Sequence, residues 1–551
     1  MAEPGSLFVT MQPKSGLALE QFHEWYNNEH GPTRLQLAQI FTNGLRYRAL
    51  DGQEPAFLAA YDVTRMSHLE TETYTRLRAG RSVREADTIG QVDVTRYFWD
   101  LVLGRSSPEH FRPVEQLADE EAEGLVLVAV QLTPRTEEGA DAEEEIKRWY
   151  EEEHIDMLSK VPGWLRSRLF KTSSLEKDQP TKFIALHDYA KINGLAGPGP
   201  ELKAATSTPW AKELLSKHAT VTSRRVYELF YVFGPAPRDL HNLSLLPPAK
   251  ATFKSPDGKT TTSNDGGEAP VIESRIVTTK DGLLSIPYRL EGNPDPHAPT
   301  IAFCNSLLTS LHMWDAFVGI LKEKRPGYRI LRYDFRGRNA GIPARPATLD
   351  MLADDLAELL AALRIQKLHV LVGVSMGGAT TLKFALRHPE RVAKFVACDF
   401  NVASSEANTN AWKQRIAVAE SATSSSDGVS GMETLATQTV SRWFHPDTVS
   451  FKLDVTAWVR DMVAANDVEG FRFGCQALWD YDMKEEMKKC VVPGLLVVGE
   501  EDGKGALVKA MDGFKDLVGE KGAGLMVVPK AGHLPMCEQP EGFWEAVEKF
   551  L

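Results

Sequence analysis

The strongest constraint on the fold is an internal duplication in the first half of the chain. LEQFHEWYNNEHGP at 19–32 and EEIKRWYEEEHIDM at 144–157 share the pattern W-Y-x-x-E-H. Each copy follows an apolar strand candidate, LFVTM (7–11) or GLVLVAVQLT (124–133). Two further candidates come next, GLRYRAL and AFLAAYDV in one copy, GWLRSRLF and KFIALHDYA in the other. A helical stretch and a long strand then close each unit, VDVTRYFWDLVLG (92–104) and VTSRRVYELFYVFG (221–234). This is the β-α-β-β-α-β order of a ferredoxin-like unit, present twice. Its helices cover one face of a four-stranded sheet and leave the other apolar. Two such sheets, repeat 1 over 1–110 and repeat 2 over 111–235, are therefore predicted to close into an intramolecular α+β barrel. Phe22, Trp25, Tyr26 and Glu29 follow an i, i+3, i+4, i+7 spacing, which turns the aromatics toward the sheet. His30 and His154 then fall at helix ends, where an imidazole complements the C-terminal dipole.

Residues 234–270 are rich in Pro, Gly, Ser, Thr and Lys without a sustained apolar period, which predicts a linker over 236–270. Beyond it the pattern changes. VIESRIVTT and LLSIPYRL flank a KDG turn as an antiparallel pair would. PTIAFCNS, YRILRYDF, LHVLVGVS, VAKFVACDF, PGLLVVGEED and AGLMVVPKAGH then alternate with helical stretches such as LDMLADDLAELLAALRI (349–365). Short apolar runs in that alternation predict a doubly wound, mostly parallel α/β sheet over 271–551. Function in such a sheet collects at the carboxyl ends of the strands.

Three chemically apt side chains fall at such ends. In HVLVGVSMGGATT (369–381) Ser375 lies between a strand and a helix, with Gly373 and Gly377 allowing the sharp turn that exposes its hydroxyl. A serine nucleophile needs a base and a group to orient that base. GEEDG supplies Asp502 after one later strand, and His533 follows the last. The order serine, acid, histidine is that of the α/β-hydrolase fold. Asp399, ending KFVACDF, competes with Asp502 for the acid role. The backbone N–H of Met376 is one oxyanion donor, and Leu307, after Asn305-Ser306, supplies the other; each donor is worth roughly 3 kcal/mol of transition-state stabilisation.

Two resemblances extend this reading. The first half is similar to the dimeric α/β-barrel superfamily, and W-Y-x-x-E-H resembles its EthD-like branch. That implies relatives among small isomerases, monooxygenases and decarboxylating enzymes, and makes His30 and His154 a second candidate site. In the second half NSLLTSLHMWD, YDFRGR, GVSMGG, GEEDG and GHLPMCEQPEGF together resemble the 3-oxoadipate enol-lactonase branch of α/β-hydrolases. TVSRWFHPDTVSF and the following segment look like that family's helical cap, placed at about 402–485. The family usually reads R-G-H-G-x-S where this chain has Arg336-Gly337-Arg338-Asn339-Ala340-Gly341, a departure beside the pocket.

The expectation is a serine hydrolase of the lactonase or esterase type, acting on a small lactone or ester derived from an aromatic or polyketide. Ser306, Trp314, Trp443 and Trp479 are candidate substrate contacts. The same triad also suits C–C bond hydrolysis or perhydrolysis. A non-catalytic binding or scaffold role, or an isomerase-type step on the barrel, is the reading of another class. Across 551 residues the net charge is -12, which argues against nucleic acid or an anionic membrane as partner. Five cysteines without a CxxC pair, and an N-terminus without a signal-like apolar core, predict a reduced cytoplasmic protein with no metal and no cofactor. Its partner is then a small-molecule substrate, and oligomerisation stays open.

Overall fold

The computed structural model describes residues 4–135, 139–195, 199–265, 269–278, 284–338, 345–421 and 429–551. The chain divides into two compact units, Met1–Pro237 and Arg238–Leu551.

In the N-terminal unit eight antiparallel strands form a closed barrel. They are β1 (Gly5–Pro13), β2 (Leu45–Ala49), β3 (Phe57–Val63), β4 (Val92–Ser106), β5 (Val126–Pro134), β6 (Trp164–Thr172), β7 (Phe183–Tyr189) and β8 (Ala219–Val232), in the order β1-β3-β2-β8-β5-β7-β6-β4. Each repeat contributes four adjacent strands, its fourth beside its first. The two sets join where β2 pairs β8 and β4 pairs β6. Both faces of these strands are covered, which explains why they read as almost unbroken apolar runs. Phe8, Leu58, Trp99, Phe170, Ile184 and Tyr227 form one core. The alternate residues Leu7, Val9, Phe57 and Tyr61 pack with Phe22, Trp25 and Tyr26 in a second. The second repeat does the same through Leu169, Phe183, Trp149 and Tyr150.

The W-Y-x-x-E-H helices differ from the expected form. Tyr26–His30 and Tyr150–His154 are π-helical turns, and the chain continues as α-helix through Gly31–Leu35 and Ile155–Leu158. The histidines are thus inside their helices, not at the ends. The wider π-turn rotates each toward the core, and both are buried.

The C-terminal unit is built on a ten-stranded mixed sheet. Its strands are β9 (Phe253–Lys254), β10 (Thr261–Ser263), β11 (Val271–Thr278), β12 (Leu284–Gly292), β13 (Thr300–Cys304), β14 (Arg329–Tyr333), β15 (Val370–Val374), β16 (Phe395–Cys398), β17 (Gly494–Gly499) and β18 (Gly524–Val528), in the order β18-β17-β16-β15-β13-β14-β12-β11-β10-β9. Strands β13 to β18 run parallel; β9 to β12 add an antiparallel edge. The KDG turn lies outside the described residues, but β11 and β12 pair as expected, with Val271 opposite Glu291. Between β16 and β17 a set of helices, among them Glu406–Ala419, Gly431–Trp443 and Leu453–Ala464, forms the cap.

The segment expected to be a linker belongs to this unit. It carries helices Leu240–Ser244 and Pro248–Ala251 and strands β9 and β10. Leu240, Leu243, Leu246 and Ala251 are buried, and Asn264 Nδ2 donates to the carbonyls of Leu243, Ser244 and Leu246. Three leucines at helical spacing outweigh the polar composition around them.

Candidate active site

The serine is presented by a strained turn. β15 ends at Val374, the helix Met376–Arg387 begins at once, and Ser375 between them has φ 58° and ψ −119°. A non-glycine residue in this region costs about 1–3 kcal/mol, and such strain clusters at functional sites. Close backbone approach explains the flanking glycines. A Cβ on Gly373 would strike the Gly377 carbonyl, and one on Gly377 would strike the carbonyl oxygens of Cys304 and Asn305. Helix and sheet approach so closely that only hydrogen fits. The N–H of Met376, first in the helix, has no acceptor within that helix.

The loop after β18 brings His533 to the same place. Its Nδ1 lies 2.7 Å from Asp502 Oδ2, in the loop after β17. Its backbone N–H donates to the Trp443 carbonyl at 2.7 Å, and the two rings lie 5.3 Å apart. One residue not singled out from the sequence fixes this loop: Glu538. Its fully buried carboxylate accepts the N–H of Gly532 at 2.7 Å and that of His445, on the cap, at 2.7 Å. Burial pushes its carboxyl up, while those two N–H donors pull it back. Ser375, Met376, Asp502 and His533 line one cavity of about 460 Å³.

Asp399 lies beside this pair without holding the imidazole. Its Oδ1 accepts the Gly499 N–H at 2.8 Å, and its carboxyl lies next to that of Asp502. Burial, and then the charge of Asp502, hold its carboxyl well above the usual range. Ligand atoms of Asp399, Asp502 and His533 lie within 4.8 Å of one another. That is close enough for a metal ion, but Asp502 and His533 already bond each other, and burial favours the protonated form of Asp399. The donor set suits a proton relay better than a cation.

The loop after β13 is held from beneath. Asn305 Nδ2 donates to the Tyr333 carbonyl at 2.8 Å and to Asp334 Oδ1 at 3.2 Å, and its Oδ1 accepts from Trp314 Nε1 at 3.0 Å. Trp314 is fully buried and props this loop; it does not wall the cavity. Ser306 and Leu307 meet Met376 at a separate pocket of about 20 Å³, and the Ser306 hydroxyl donates to the Leu307 carbonyl at 3.3 Å. Of the expected pocket tryptophans only Trp443 lines the large cavity. Trp479 instead has the Lys413 ammonium 5.5 Å from its ring.

The unusual loop after β14 is a structural tie as far as it is described. Arg336 pairs bidentately with buried Asp355 at 2.6 and 2.5 Å. Arg338 donates to the carbonyls of Thr309, Ala465 and Met462, each at 3.1 Å, joining the β13 loop to the cap. Asn339, Ala340 and Gly341 lie outside the described residues.

Further cavity residues come from the cap: Trp412, Arg415, Arg442 and Tyr481. Arg415 is half-buried, its guanidinium 4.3 Å over the Trp412 ring. Burial and the like charge of Arg442 bring its pKa down to about 10. Among the described residues no carboxylate lies within salt-bridge distance of either arginine. Only the cap's folding makes these arginines neighbours, so no local sequence pattern announces them.

The barrel histidines are enclosed in separate cores. His30 Nδ1 lies 2.7 Å from Glu85 Oε1, and burial, then Arg34, hold its pKa well below the ordinary value. His154 Nδ1 donates to the Ala205 carbonyl at 3.0 Å, and its ring stacks on Trp149 at 3.9 Å. Burial, then His187, lower its pKa to about 3. Both imidazoles are buried, and burial favours the neutral form of each. Among the described residues no helix is long and apolar enough to cross a membrane.

Residues 299–540 match the family model for the alpha/beta hydrolase fold. The chain is 29% identical over 282 residues to 3-oxoadipate enol-lactonase 1 of Acinetobacter baylyi, covering 51% of this chain and 97% of that protein. It is 27% identical over 276 residues to 3-oxoadipate enol-lactonase 2 of the same organism, covering 50% and 95%. Among solved structures, the enol-lactonase from Burkholderia xenovorans LB400 is 29% identical with a TM-score of 0.42, covering 48% of this chain and 96% of that one. The C-terminal region is an α/β hydrolase distantly related to enol-lactonases and esterases, carried on a chain whose N-terminal region is a closed eight-stranded antiparallel barrel.

Proposed function

We propose that the C-terminal unit is a serine hydrolase that opens a small lactone or ester bearing an anionic group. The observation that carries this is a strained serine at a strand–helix turn, sharing one cavity with a histidine whose Nδ1 is held at 2.7 Å by Asp502. His533 Nε2 takes the Ser375 proton as Oγ attacks the carbonyl carbon. The N–H groups of Met376 and Leu307 receive the tetrahedral oxyanion. Collapse breaks the C–O bond, and His533 returns its proton to the departing oxygen, which in a lactone stays tethered to the acyl group. Water, deprotonated by His533, then releases the acid and restores Ser375. Asp502 orients the ring and balances the imidazolium. Asp399, neutral, leaves one negative charge beneath the histidine instead of two.

Arg415 and Arg442 support the anionic part of the reading, because they bring positive charge to the cavity wall, Arg415 without an ion pair among the described residues and Arg442 near the charge of Asp502. The test uses a γ-lactone carrying a free carboxylate and its methyl ester. Charge-assisted hydrogen bonds contribute about 1.5–3 kcal/mol, so the R415M/R442M double variant should raise KM for the acid about 10- to 100-fold and leave the ester nearly unchanged. Equal effects on both would contradict anion recognition. Turnover of neither, with cleavage of a vinylogous diketone instead, would point to C–C hydrolysis.

A further inference from the structure

The barrel has a cavity of its own, away from His30 and His154. The connector between the repeats, Ser107–Leu125, runs across one mouth of the barrel and encloses about 320 Å³ against the ends of β2, β5, β6, β7 and β8. Connections this long without much regular structure are uncommon in compact domains and are usually functional. The connector is tied down: Arg112 pairs with Glu121, whose other oxygen accepts the Ala118 N–H at 2.9 Å, and the Gly124 N–H donates to the Leu229 carbonyl at 2.7 Å.

Most of the lining is apolar, including Leu45, Leu125, Leu165 and Leu229. One edge is polar but already neutralised. Arg166 bonds Asp188 at 2.8 Å, Arg168 bonds Asp62 at 2.8 Å and lies 3.6 Å from Asp188, and Asn43 donates to Asp62 at 3.0 Å. These four charges pair with one another, and Arg112 pairs with Glu121 across the connector; Glu115 and His110 complete the polar lining. Tyr47 completes the wall. It is only 3% exposed, yet its hydroxyl makes no hydrogen bond among the described residues. Burial, with Asp188 nearby, holds the phenol in its neutral form. A ligand oxygen entering this cavity would meet an unbonded phenol hydroxyl.

We infer that this mouth of the barrel is a binding site for a neutral, largely apolar small molecule of one or two rings that presents a hydroxyl or carbonyl oxygen to Tyr47. The site is independent of Ser375 and of the hydrolase reading. Cavities of this size and mostly apolar character, with a few placed polar groups, are typical of small-molecule sites.

The test titrates the full chain with 2-naphthol, followed by the probe's fluorescence, and with naphthalene as the analogue lacking oxygen. Val114→Trp fills the cavity from the connector and leaves every barrel strand intact. Tyr47→Phe removes only the hydroxyl. Saturable 2-naphthol binding is expected, weakened at least tenfold in V114W and several-fold in Y47F, with naphthalene indifferent to Y47F. Circular dichroism checks that both variants keep the barrel. Absence of saturable binding, or affinity unchanged in V114W, would overturn the site. Affinity for 2-naphthol unchanged in Y47F would overturn the oxygen-bearing class.

Discussion

Replacing Asp399 by asparagine should stabilise the protein, and increasingly so as the pH rises. Asp399 is buried beside the charged Asp502, and both burial and that charge favour its protonated form. The unfolded chain releases the proton near the ordinary aspartate value of about 3.9, whereas the native state keeps it. The native state therefore binds one more proton, and wild-type stability falls by about 1.4 kcal/mol per pH unit from that value up to the native pKa. The asparagine side chain is nearly isosteric, its amide oxygen retains the Gly499 N–H, and it has no proton to lose. The difference in unfolding free energy between D399N and wild type should thus grow in favour of the variant by about 1.4 kcal/mol per pH unit above roughly pH 4. Urea unfolding followed by tryptophan fluorescence at several pH values measures it. Turnover at neutral pH should stay within a few-fold. A difference flat with pH, or one that increasingly favours wild type, would mean that Asp399 is ionised in the native state and would refute the assignment of Asp502 as sole charged partner of His533.

Other residues give sharper local tests. Glu291 is fully buried; burial opposes its charge, but Arg332, Arg289 and Lys322 outweigh this and lower its pKa to about 2. Its contribution is present above the ordinary glutamate value and lost as pH falls toward 2, about 3 kcal/mol in all; E291Q should be destabilised at neutral pH and show a shallower acid-unfolding slope. Glu538→Ala orphans the N–H groups of Gly532 and His445, at about 1–3 kcal/mol each. It should lower kcat more than it raises KM, because the histidine loop loses its anchor. Trp314→Phe removes the bond to Asn305 and should cost about 1 kcal/mol and several-fold in kcat. A change confined to KM would instead make Trp314 a substrate contact.

Local signals carry most of what is legible in the chain. Ser375, Asp502 and His533 each follow a short apolar strand, so their strand-end placement can be read residue by residue. The barrel is visible because the duplication repeats strand order as well as the W-Y-x-x-E-H motif. The π-turns are not visible, since Phe22, Trp25 and Tyr26 fit an ordinary α-helix and the extra residue enters only at the turn that follows. The 236–270 segment misleads because Pro, Gly and Ser mask the spacing of Leu240, Leu243 and Leu246. Arg415, Arg442, Glu538 and Arg338 acquire their partners through packing of the cap against distant loops. A single sequence holds no periodic trace of such contacts.

The most direct measurement is covalent labelling of the full-length protein by a fluorophosphonate, with the modified peptide located by mass spectrometry. The account predicts one adduct on Ser375, abolished in Ser375→Ala and slowed strongly in His533→Ala, with the fold of each variant checked by circular dichroism. A folded wild type that takes no label, or an adduct that persists in Ser375→Ala, would contradict it.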